Sequence, residues 1–127
     1  MIVTLPGSIR SKKNSKQVIM VGGRNVPKRA MIIPSKAYQT WEKQARLAAA
    51  AQLIGFKPVE GHVHVCAKVY YKGQQPDLSG CLESVGDCLE GYLWLNDKQI
   101  MSWDGSRLYH DKKNPRTEVE MRVFKDV

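Results

Sequence analysis

The chain has 127 residues, 43% hydrophobic and 25% charged, which suits one domain over residues 1–127 with a genuine core and excludes a disordered polypeptide. No run approaches about 18 consecutive apolar residues, so no membrane-spanning helix is expected. The start, Met1 to Pro6, lacks the basic and apolar regions of a signal peptide, so a cytoplasmic protein is expected. The net charge is +8, and it is lopsided. Eight of the 20 basic residues and none of the 12 acidic ones lie in residues 1–41, leaving the remainder neutral. A basic segment joined to a neutral one points to a polyanionic partner.

Leu5-Pro6-Gly7-Ser8 reads as a loop, followed by the polar basic stretch Arg10 to Lys16. Gln17 to Val21 reads as a strand closed by Gly22-Gly23, and Met31-Ile32-Ile33 as a short apolar run before Pro34. Ser35 is a natural N-cap for a helix over Lys36 to Leu53, with Tyr38, Trp41, Ala45 and Ala48 at helical spacing toward the core. Residues 62–71 alternate, with Val63, Val65, Ala67 and Val69 facing one way and His64, Cys66, Lys68 and Tyr70 the other, as in a central strand.

A second helix is expected over Leu78 to Glu90, with an apolar stripe of Leu78, Leu82, Val85 and Leu89 and a stop at Gly91. Asn96-Asp97 reads as a turn, Gln99 to Trp103 as a strand broken by Asp104-Gly105, and Glu118 to Val123 as a last alternating strand. The sum is an α+β fold, a small mixed sheet with two helices packed on it.

Cys66, Cys81 and Cys88 form no CxxC pair and read as reduced thiols. His62 and His64 share a strand face, but a third transition-metal ligand is not evident. There is no GxSxG, P-loop or dinucleotide fingerprint. The acidic residues are more informative. Glu83, Asp87 and Glu90 fall on one face of the second helix, opposite the expected leucine stripe, while Asp77 begins the helix and Asp97 follows it. Hard oxygen donors of this kind suit Mg²⁺, which takes one or two carboxylates and completes its shell with water and phosphate. The same residues also suit a helix cap, a solvated face and a turn.

Pro76-Asp77-Leu78-Ser79-Gly80, then Leu82, Asp87, Leu89, Gly91, Trp94 and Asn96-Asp97-Lys98-Gln99-Ile100, closely resemble the signature of RusA-type Holliday-junction resolvases. Lys12-Lys13-Asn14-Ser15 and Pro34-Ser35-Lys36-Ala37-Tyr38, with Trp41, resemble the N-terminal block of phage-type members, so the resemblance runs along nearly the whole chain. It implies a homodimeric nuclease that nicks four-way junctions with Mg²⁺ or Mn²⁺. Such enzymes are commonly encoded by phages or prophages and process recombination or replication branches in the bacterial cytoplasm. The family's essential aspartates correspond to Asp77 and Asp97.

Three positions depart from the family pattern. Ser79 replaces a second aspartate, Gly80 an asparagine, and Glu83 a lysine. Ser79 and Glu83 lie one helical turn apart, so Glu83 is expected to reach the site and supply the missing carboxylate. The metal candidates are therefore Asp77, Asp97 and Glu83. Asp87 is expected to orient the site, and Asp104 is a reserve candidate. The alternative is a member that binds branched DNA without cutting it. Arg10, Lys12, Lys13, Lys16 and Lys68 are the candidate DNA contacts, acting on phosphates without regard to sequence.

Overall fold

The computed structural model describes residues 1–12 and 15–124. Its strands are β1 (Ile2–Pro6), β2 (Lys16–Gly23), β3 (Val26–Pro34), β4 (Val63–Tyr71), β5 (Ile100–Ser102), β6 (Arg107–His110) and β7 (Arg116–Val123). The helices are α1 (Lys36–Gln52) and α2 (Leu78–Cys88), with a one-turn 3₁₀ helix at Asp97–Gln99. The fold is α+β as expected. A mixed sheet runs β1-β7-β4-β5, with β6 also paired to β4, and β2 and β3 form a separate two-stranded ribbon.

The alternating strand β4 organises the sheet. Val63, Val65, Ala67 and Val69 are buried beneath the helices, and β7 pairs antiparallel along nearly its whole length. On its other edge β5 and β6 pair parallel with successive parts of β4. They act as one interrupted strand. Ser106 fills the interruption, its Oγ accepting the Ala67 N–H at 2.9 Å. Because β4 and β5 are parallel, the chain must cross over between them, and α2 is that crossover.

Ser35 caps α1 by accepting the Tyr38 N–H, and Tyr38, Trp41, Ala45 and Ala49 are buried. Ala49 rather than Ala48 completes the buried stripe. The segment read as a loop at Leu5-Pro6 is the end of edge strand β1, whose Val3 and Leu5 enter the core. Pro6 is tolerated there because, among the described residues, β1 pairs only with β7. Strand β6 carried no expectation.

The second helix is rotated relative to the leucine stripe. It buries Gly80, Cys81, Ser84, Val85, Gly86 and Cys88, leaving Leu78 and Leu82 partly exposed. Small residues let neighbouring segments approach closely. A Cβ built on Gly80 would lie 2.2 Å from Ser11 Oγ, and the Trp94 indole N–H reaches the Gly86 carbonyl at 3.1 Å. Burial raises the Cys81 and Cys88 thiols to about 12, so both stay protonated and inert at neutral pH. None of the helices is long and apolar enough to cross a membrane, among the described residues.

Candidate active site

The rotation of α2 brings its solvent side against the segment that follows it. Ser79, Leu82, Glu83 and Gly86 from α2 face Asp97, Ile100 and Trp103 across a cavity of about 320 Å³. Leu82 and Glu83 therefore line the same cavity, instead of standing on opposite helix faces. Glu83 and Asp97 are both exposed.

Asp97 is held by the turn that carries it. Asn96 and Gln99 form a reciprocal capping box around the 3₁₀ helix. Gln99 Oε1 accepts the Leu95 and Asn96 N–H groups at 2.9 and 2.8 Å, and its Nε2 donates to the Val59 and Gly61 carbonyls, both at 2.7 Å. That side chain fastens the Asp97 turn to the segment entering β4. The Asp97 N–H also donates to Glu90 Oε1 at 3.3 Å.

Asp77 lines a neighbouring groove of about 550 Å³, with Ser8, Arg10, Ser15, Lys72 and Gln75 among its walls. It is the N-cap of α2 by backbone conformation, but its carboxylate makes no capping bond and instead accepts the Ser79 hydroxyl at 3.0 Å. Ser79 thus links the two cavities, lining one and bonding the aspartate of the other. Among the described residues no group of three or more His, Cys, Asp and Glu is gathered as a metal site. The structure accordingly pairs Glu83 with Asp97 and keeps Asp77 next door. Asp104, with His64, lines a separate cavity on another part of the sheet.

Asp87 is a carboxylate that its surroundings perturb. Burial pushes its pKa up, the nearby Lys12 ammonium pulls it down, and Asp97, Glu90 and Glu42 push it up again. Lys12 Nζ lies 4.0 Å from Asp87 Oδ2. The basic loop that carries Lys12 is stapled to α2 through buried Ser84, whose Oγ accepts the Lys12 N–H at 3.2 Å and approaches the Arg10 carbonyl at 2.8 Å. Nothing in the sequence marked Ser84 for this role. Lys72, which sequence reading did not single out, lines the Asp77 groove, and a basic residue shortly before Pro76-Asp77 was the available signal. Arg10, Lys12 and Lys16 are exposed near these cavities or at the ribbon's root, Lys68 is exposed on the outer face of β4, and Lys13 lies outside the described residues.

The donor chemistry fits a divalent cation. Two exposed carboxylates face one cavity with a hydroxyl beside them, and Mg²⁺ needs no more than one or two carboxylates from the protein. Residues 6–122 match the family described as Endodeoxyribonuclease RusA. The chain belongs to the RusA endodeoxyribonuclease family. This is a nuclease family that acts on branched DNA, the Holliday junction in general. No curated protein matches the chain.

Proposed function

We propose that this RusA-family chain is a divalent-metal-dependent endonuclease that nicks four-way DNA junctions, with Glu83 supplying the carboxylate that Ser79 lacks. The observation that carries this reading is the shared cavity of Glu83, Asp97 and Ser79. Glu83 and Asp97 would hold Mg²⁺ or Mn²⁺. When bound there, the ion supplies positive charge to the scissile phosphodiester and acidifies an attacking water.

The chain's own groups supply the rest. Gln99 fixes the turn that presents Asp97, and the Ser79 hydroxyl holds the Asp77 carboxylate at the mouth of the adjoining groove. Arg10 and Lys72 line that groove and offset phosphate charge along it. Asp87, between Lys12 and Asp97, orients the basic loop relative to the acidic cavity. A homodimer matches the two-fold character of a junction, since each copy faces one of two equivalent strands.

A second reading, a junction-binding protein that does not cut, is favoured by one observation. No three-carboxylate metal cluster is present among the described residues. A labelled four-way junction and a matched linear duplex, incubated with Mg²⁺ or with chelator, separate the two. Paired nicks on the junction alone, abolished by chelator, support the nuclease. Tight junction binding without cleavage in Mg²⁺ or Mn²⁺ supports the binder.

A further inference from the structure

The ribbon β2–β3 is an unusual surface. Its two strands pair extensively with each other, from Lys16↔Pro34 to Gly23↔Val26 around the Arg24-Asn25 turn. Among the described residues they make no comparable packing with any other strand or helix. A lone two-stranded hairpin is marginal in water, and exposed apolar strands invite a partner. Yet Val18, Met20, Val26 and Ile32 are each more than 60% exposed. Alternation puts Lys16, Val18 and Met20 on one face, and the register sets Val18 opposite Ile32 and Met20 opposite Ala30. This face is an apolar strip with Lys16 at one end and Lys28 toward the other, beside the turn that carries Arg24, while Arg29, paired with Val21, lies on the opposite face. The ribbon has no acidic residue.

We infer that this ribbon face engages the open centre of branched DNA, its cations on phosphates and Val18, Met20 and Ile32 against unstacked bases. Charge complementarity chooses the occupant. Two copies of a surface carrying only positive charge repel each other, whereas the backbone strands converging at a junction concentrate negative charge. Apolar side chains presented between cations are the chemistry that props base steps apart, and the centre of a junction is where unstacking costs least. Position agrees. The ribbon's root is tied by the Ser35 N–H to the Ser15 carbonyl at 2.8 Å, and Ser15 lines the groove that contains Asp77. A branch point held by the ribbon therefore lies beside the proposed site of cleavage. The inference rests on the branched-DNA reading above and adds the element that distinguishes a junction from a duplex.

The test is the double variant Val18→Thr/Ile32→Thr, which keeps β-branched, strand-forming side chains but replaces a methyl of Val18 and the ethyl branch of Ile32, two facing side chains, by hydroxyls. Binding to a four-way junction with 2-aminopurine at its centre, and to a linear duplex, is measured in chelator, with sedimentation of the free protein alongside. The expected result is roughly a tenfold loss of junction affinity. Duplex affinity and oligomeric state stay unchanged, and the 2-aminopurine fluorescence rise seen with the unsubstituted protein is lost. Junction affinity and fluorescence equal to the unsubstituted protein's would overturn the inference. So would a fall in oligomeric state, which would make a second copy the occupant. Cleavage by the unsubstituted protein in Mg²⁺, scored on the same preparation, keeps the two readings apart. Junction cleavage with an indifferent ribbon variant sinks only the ribbon's role, whereas no preference for junction over duplex sinks both.

Discussion

Two glycines on α2 should respond to the same substitution with opposite sign. An alanine Cβ at Gly80 would sit 2.2 Å from Ser11 Oγ and 2.8 Å from Ser11 Cβ, far inside ordinary contact. Ser11 cannot easily retreat, because it is buried and the residues on either side of it are bonded to Ser84. Overpacking at distances this short costs about 2–3 kcal/mol, the upper part of the usual range, against a gain of about 1 kcal/mol in helix propensity, so Gly80→Ala should lose about 1–2 kcal/mol. At Gly86 the added Cβ meets Asp97 Cβ at 3.6 Å and Ile100 Cδ1 at 3.8 Å, both comfortable contacts. Gly86→Ala should therefore keep most of the propensity gain, about 0.5–1 kcal/mol. In thermal melts, the first variant should fall by about 4–8 °C and the second rise by about 2–4 °C. The same methyl at residue 86 narrows the Glu83–Asp97 cavity, so the more stable variant should cut junctions more slowly. A Gly80→Ala protein that melts higher than its parent would refute the close packing of the basic loop on α2.

Three further substitutions probe separate links. Lys12→Ala should weaken junction and duplex binding alike and lower the salt-dependence slope by about one; a loss confined to one DNA sequence would contradict a phosphate contact. Gln99→Met removes four hydrogen bonds around the Asp97 turn and should cost about 2–3 kcal/mol in denaturant titrations, with Mg²⁺-dependent cleavage reduced further than stability explains. Asp87 carries a carboxyl whose folded pKa lies above its unfolded value, so its contribution to stability is present at low pH and is lost as pH rises through the folded value. Asp87→Asn should accordingly raise the melting temperature at neutral pH in chelator. That advantage should fade as the pH falls into the ordinary aspartate range, and a constant difference at all pH values would exclude titration as the cause.

Elements defined by a strong local rule were legible in the sequence. Strand β4 alternates without a break, and α1 has both a serine cap and aromatics at helical spacing. The face of α2 was not legible. Leu78 and Leu82 are more hydrophobic than Gly80 or Ser84, but a backbone approach needs small side chains, so Leu82 was left at the cavity rim and Leu78 partly exposed. Edge strand β1 was hidden by Pro6-Gly7, and the break between β5 and β6 is repaired by a serine side chain that no local pattern announces. The acidic residues were singled out by their helical spacing and by the family resemblance, and Glu83 also by its helical offset from Ser79. Their division into a Glu83–Asp97 cavity and an Asp77 groove depends on tertiary packing and had no signature in the spacing.

The central claim is that Glu83 has taken over a ligand position, and single-turnover cleavage of a four-way junction by Glu83→Gln tests it most directly. Removing one of two metal carboxylates should abolish Mg²⁺-dependent nicking as fully as Asp97→Asn does, while junction affinity in chelator is retained. Cleavage by Glu83→Gln at the rate of the unsubstituted protein would show that Glu83 is only a solvated face of α2, and that the metal is held elsewhere.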